Sequence, residues 1–159
     1  MSKRLSLPES YQPLEPLLKK DPSFDPEAFL NGAKSAFKMI VEAFAKGDRK
    51  TLKPLLSPTI YKNFISAIEK REKEGDVLET SVDGFQKVKI VQSGIRGRLA
   101  EVTISFISNQ VSKLKQASGE IIETDPEGFD EVVDTWTFAH DIRSSDPNWQ
   151  LVGVEEEGA

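Results

Sequence analysis

The hydrophobic period of this chain changes once, near Phe85, and that change constrains the fold more than any other feature. Before it, apolar residues recur every three or four positions, and after it they alternate. These are the spacings of a helix face and of a half-buried strand. Asp25 followed by Pro26 predicts a helix start, with an acceptor side chain at the cap and a proline where no N–H bond is lost. Phe29, Ala33, Ala36, Phe37, Ile40, Val41 and Phe44 form one stripe of that helix, Lys34, Lys38 and Glu42 fall opposite, and Gly47 closes it. A stripe of this kind inside a globular chain reads as core rather than as a lipid-interface face. Ser57 and Pro58 repeat the start signal, and Ile60, Phe64, Ile65 and Ile68 carry a second stripe that ends near Gly75.

From Phe85 onward, Val88 and Ile90 alternate with Lys87 and Lys89, and Val102, Ile104 and Phe106 with Glu101, Thr103 and Ser105. Gly94 to Gly97 supplies the turn between these strands, and the second strand continues through Val111 and Leu114 until Gly119. A third strand is expected over Val132 to Ile142 and a fourth over Trp149 to Val154, joined by Ser144, Ser145, Asp146, Pro147 and Asn148. Helices first and strands afterwards predict an α+β fold, with N-terminal helices packed on one face of an antiparallel sheet.

The chain has the length of one domain. Residues 1–23 read as an extended arm or linker ahead of a single domain over 24–159, because Pro8, Pro13, Pro16 and Pro22 interrupt any long helix. The arm is expected to pack loosely on the domain, or to dock on a membrane or partner through Lys3, Arg4, Lys19 and Lys20.

The formal net charge of -5 argues against nucleic acid as main partner. Cysteine is absent, which removes disulfides, thiolate metal sites and cysteine nucleophiles together. No apolar run reaches about 18 residues, and MSKRLSLPES lacks the apolar stretch of a signal peptide. Membrane contact would be peripheral, or through an anchor missing from this chain.

The single histidine, His140, shares a strand parity with Asp134, Trp136 and Phe138. A carboxylate and an imidazole beside two aromatic rings could form an acid/base pair in an apolar pocket, suited to an isomerase or dehydratase. The plainer reading leaves His140 near the strand end and Asp134 serving a turn or helix terminus. Phosphate loops, a GxSxG elbow, HExxH and calcium-loop spacing are all absent, so no catalytic residue, cofactor or metal is assigned. Asp125–Pro126 and Asp146–Pro147 read as turns.

The segment VVDTWTFAHDIRSSDPNWQLVGV resembles the C-terminal signature of the Tim44-like domain family, at Asp134, Trp136, Thr137, Phe138, Asp146, Pro147, Asn148, Trp149 and Leu151. DPSFDPEAFLNGAKSAFKMIVEAFAKGD is similar to the family's first helix, and GEIIETDPEGFDEV to its glycine turn and acidic Asp-Pro element. The likeness spans roughly Asp21 to Val154. At His140 many members carry arginine, so contacts made by that arginine do not carry over.

The resemblance implies a fold like nuclear transport factor two, with helices on a curved antiparallel sheet around an apolar pocket. It also implies a non-enzymatic adaptor or scaffold, peripheral to an inner membrane: the cytoplasmic face in a bacterium, the matrix face in a mitochondrion. Partners would be a membrane lipid and a protein such as a chaperone or membrane-protein complex, with a homodimer through an exposed sheet face as a further reading. Pocket or ligand-binding residues would be drawn from Phe37, Phe44, Phe106, Asp134, Trp136, Phe138 and His140. Asp146, Pro147, Asn148 and Trp149 would form a hairpin motif. Trp149 and Phe37 are expected in the core, with Trp136 and Phe138 bordering the cavity.

Overall fold

The computed structural model describes residues 7–123, 130–146 and 148–156. A 3₁₀ turn over Glu9–Leu14 leads into α1 (Glu15–Lys20), followed by α2 (Pro26–Lys46), the short α3 (Arg49–Leu52) and α4 (Pro58–Lys73). Five strands follow: β1 (Val77–Arg96), β2 (Leu99–Lys115), β3 (Ile121–Glu123), β4 (Asp130–Asp141) and β5 (Gln150–Glu156). The pairings between these strands are antiparallel, in the order β1-β2-β4-β5, with β3 beside β2. The α+β class and its helices-then-sheet order are those expected.

The caps follow from their residues. Asp25 accepts from the backbone of Glu27 and Ala28 at 3.1 Å, and Gly47 ends α2 at φ 73°, a left-handed conformation that glycine adopts without steric cost. Ser57 accepts from the N–H of Ile60. Arg71 of α4 donates to the exposed carbonyls of Phe44 and Ala45 at 2.8 and 2.9 Å while lying over the Phe44 ring, so it ties α4 to the negative end of α2.

Lys38 and Glu42 do more than face water. Glu42 accepts from the N–H of Val82 and Lys38 donates to its carbonyl, where β1 bulges between Val82 and Gly84. Two side chains thus satisfy edge-strand groups that a neighbouring strand would otherwise bind.

Three expectations need correction. β1 begins at Val77, eight residues before Phe85, and pairs Val77 to Ser81 with Lys115 to Val111. There exposed and half-buried residues alternate, but the inward positions Leu78 and Thr80 are of mixed polarity and Val77 points outward, so the sequence shows no apolar alternation. The turn lies at Gly97 and Arg98, with positive φ at Gly97 alone, the pattern of a two-residue hairpin whose first residue must be glycine. Within the segment expected as an extended, loosely packed arm, Glu9–Lys20 is helical, and Leu14 and Leu17 are 0% and 1% exposed. Pro16 stands in the first turn of α1, where proline costs the helix nothing, and the three-residue spacing of the leucines puts both on one face.

The core lies between α2 and the sheet. Phe37 meets Phe106 and Trp136 at 4.5 Å between ring centroids, over Val102 and Ile104, both fully buried. Asp125, Pro126 and Pro147 lie outside the described residues.

Candidate functional site

An apolar cleft of about 650 Å³ opens beside α2. Its floor is the helix itself: Ala28, Gly32 and Ala36 recur every four residues, with Ser35 between and Met39 beyond. Gly32 is the informative position, because a Cβ there would meet nothing within 4 Å. The fold does not require a glycine, and within a helix glycine costs about 1 kcal/mol relative to alanine. What it gives is a low floor.

The walls are aromatic. Trp149 lies 4.8 Å from Phe29 and 6.0 Å from Phe24 by ring centroids, both edge-on, and Phe29 meets Phe138 at 6.5 Å. Loop hydrogen bonds fix this corner: Asp146 accepts from the N–H of Asn148 at 2.9 Å, and Ser144 from that of Asp146 at 3.0 Å. On the far side the N–H of Ser57 donates to the carbonyl of Leu151, which brings Leu55 to the cleft.

Polar groups are few. Asp25 stands at the mouth with its carboxylate engaged by the first turn of α2, and no lysine or arginine is among the described residues that line the cleft. The surface therefore suits an uncharged apolar chain, and offers an anionic headgroup no cation.

The residues singled out from sequence do not share one place. Phe138, Asn148 and Trp149 line the cleft, Asp146 shapes its loop, and His140 stacks behind Trp149 at 5.3 Å. Phe37, Phe106 and Trp136 are 0%, 0% and 4% exposed and fill the core. Phe44 sits elsewhere, against Phe64 at 5.1 Å. The expected roles of the two tryptophans are exchanged: Trp136 is core and Trp149 borders the cavity. Asp134 pairs across from Phe106 and His140 from Ala100, six residues apart on one strand, about 20 Å. They do not converge, so no acid/base pair forms between them.

Phe24, Ala28, Gly32, Met39 and Leu55 were not singled out for the site. Ala28 and Gly32 carry little hydrophobicity, so they do not register in the apolar stripe although they leave room beside it, and Phe24 and Leu55 lie outside α2.

The Tim44-like domain family model matches residues 12–156. An uncharacterised protein of Rickettsia prowazekii is 27% identical over 142 residues, covering 89% of this chain and 58% of that protein. The mitochondrial import inner membrane translocase subunit TIM44 of Mus musculus is 21% identical over 149 residues, covering 92% of this chain and 33% of that protein. The chain therefore spans under two thirds of the length of these relatives. Among solved structures, the intermembrane space region of the chloroplast protein ARC6 superposes with a TM-score of 0.57 at 12% identity, covering 85% of this chain and 98% of that one. That likeness concerns the fold alone.

Proposed function

The chain belongs to the Tim44-like domain family, and from that premise we propose that it is a non-enzymatic adaptor domain whose cleft beside α2 docks an apolar segment of a protein partner at an inner membrane. The observation that carries this reading is the cleft itself: a floor of Ala28, Gly32 and Ala36 under the rings of Phe24, Phe29 and Trp149. A protein occupant is favoured over an anionic lipid by the absence of lysine and arginine from the described lining residues, together with Asp25 at the mouth. The translocase relative supports a role in handling or assembling proteins at a membrane. No described helix is long and apolar enough to cross a bilayer; in this reading membrane contact is peripheral, on the cytoplasmic face in a bacterium or the matrix face in a mitochondrion.

Filling the floor tests the reading. Gly32→Ala is expected to raise stability by up to about 1 kcal/mol through helix propensity, and Gly32→Leu to leave the fold intact while placing an isobutyl group in the cleft. Titration of both variants with a short nonpolar peptide should show binding by the first and at least a tenfold loss in the second. Unchanged affinity in Gly32→Leu would remove the cleft as the docking surface, and preferential binding of anionic vesicles by both variants would point to a lipid occupant.

The isomerase or dehydratase alternative loses its geometric basis with Asp134 and His140 about 20 Å apart. Asp134→Asn and His140→Gln, tested singly in cells lacking the native gene, should each leave any scaffold function within about twofold. A joint and complete loss with the fold preserved would return catalysis to consideration.

A further inference from the structure

We propose that His140 is a positioning residue for the Trp149 wall, and that its charge state sets how firmly that wall stands against an occupant. The inference rests on the cleft reading above. His140 does not line the cleft; its ring lies 5.3 Å from that of Trp149, with the planes 31° apart. Its Nδ1 is 3.2 Å from the carbonyl oxygen of Asn148. Trp149 and Asn148 both line the cleft, and the indole's other ring neighbours are Phe24 and Phe29. One imidazole therefore touches the two residues that make the loop side of the cleft.

A carbonyl oxygen only accepts, so Nδ1 carries the proton and Nε2 is left to gain a second one. Histidine side chains change charge between about pH 5 and 8. On protonation the bond to Asn148 becomes charge-assisted, and the imidazolium stands at cation–π range from the indole. Both effects favour the wall in its observed place. A wall already in place needs less ordering when an occupant arrives.

The charged groups around His140 do not work against this direction. Asp141, the next residue of β4, is ion-paired with Arg98 at 2.7 Å; that bond, the backbone N–H of Arg143 and the nearby His140 hold its carboxyl below the usual range. Asp146 accepts from the backbone of Asn148, and Asp25 caps α2. Carboxylates change charge mainly at lower pH and the chain's α-amino group near the upper end of this range, so a pH dependence is assigned to the chain's single histidine by its loss in His140→Gln.

The test uses the whole chain and a nonionic alkyl maltoside below its micelle concentration as probe. The wild-type chain should bind it about two- to fivefold more tightly at the acid pH, the effect of one partly exposed cation over an indole. The Trp149 emission, taken as wild type minus Trp149→Phe, should follow one transition over the same range. His140→Arg carries a permanent cation and should bind at both pH values with the acid-form affinity. His140→Gln keeps a donor for Asn148 without the charge and should bind at both with the weaker affinity. A wild-type affinity independent of pH, or the same pH dependence in His140→Gln, overturns the inference and leaves the cleft reading standing. Emission that titrates while the probe binds at neither pH overturns the cleft reading and this inference together.

Discussion

Replacing Trp136 by alanine is expected to lower the unfolding free energy by about 3–5 kcal/mol, the cost of removing a buried aromatic side chain and leaving a cavity. Its ring packs 4.5 Å from Phe37, 6.0 Å from Phe106 and 6.3 Å from Phe138, and only 4% of the residue is exposed. The indole Nε1 is buried without a hydrogen-bond partner among the described residues, a deficit worth about 1–3 kcal/mol. Trp136→Phe removes that donor and keeps most of the ring, so it should cost well under half as much as the alanine variant. Urea unfolding of the two variants separates the effects. An alanine variant within about 1 kcal/mol of wild type would mean that Trp136 borders an open space rather than filling the core.

The second large effect concerns the first twenty residues. Leu17→Ala is expected to cost about 2–5 kcal/mol, and Leu14→Ala a similar amount, because both side chains are fully packed. Deleting Met1 to Lys20 removes both, and takes from the Ser93 hydroxyl its acceptor, the carbonyl of Pro13 at 2.7 Å. Domains of this size are stable by about 5–15 kcal/mol, so the deletion should abolish cooperative unfolding or lower its midpoint steeply. A loosely held arm would lose a few tenths of a kcal/mol instead. Denaturation of the truncated chain decides between these outcomes.

The contrast between those two segments shows what the sequence made legible. The α2 stripe was readable because Phe29, Phe37 and Ile40 recur against one face and Asp25, Pro26 and Gly47 punctuate the ends. β2 was readable because Val102, Ile104 and Phe106 sit over one core. The N-terminal segment was not, since four prolines mask two short helical turns whose position is set by tertiary packing on β1. The first part of β1 was hidden for a different reason: its inward positions Leu78 and Thr80 are only half-buried and of mixed polarity, so they give no apolar alternation.

The site was legible in part. The Trp149 loop stood out through its Asp-Pro turn and its likeness to a family signature, and Phe138 through strand parity. Parity alone, however, gives a face and not a depth. Trp136 and Phe138 share a face, yet Trp136 lies under the middle of α2, against Phe37, while Phe138 reaches Phe29 at its N-terminal end. The floor was invisible because a cleft is written in small residues, whose significance depends on what stands opposite them.

The central claim is that the molecule's docking surface is the α2 cleft and not another exposed apolar region, such as the sheet end where Val77, Ile121 and Ile122 are 57%, 51% and 47% exposed. Backbone amide shifts of the intact chain, followed during titration with a short nonpolar peptide, test it most directly. Saturable shifts are expected at the backbone amides of Ala28, Gly32, Ala36, Met39 and Trp149, with Val77, Ile121 and Ile122 unmoved. Shifts confined to the sheet end, with the cleft silent at saturation, would contradict it.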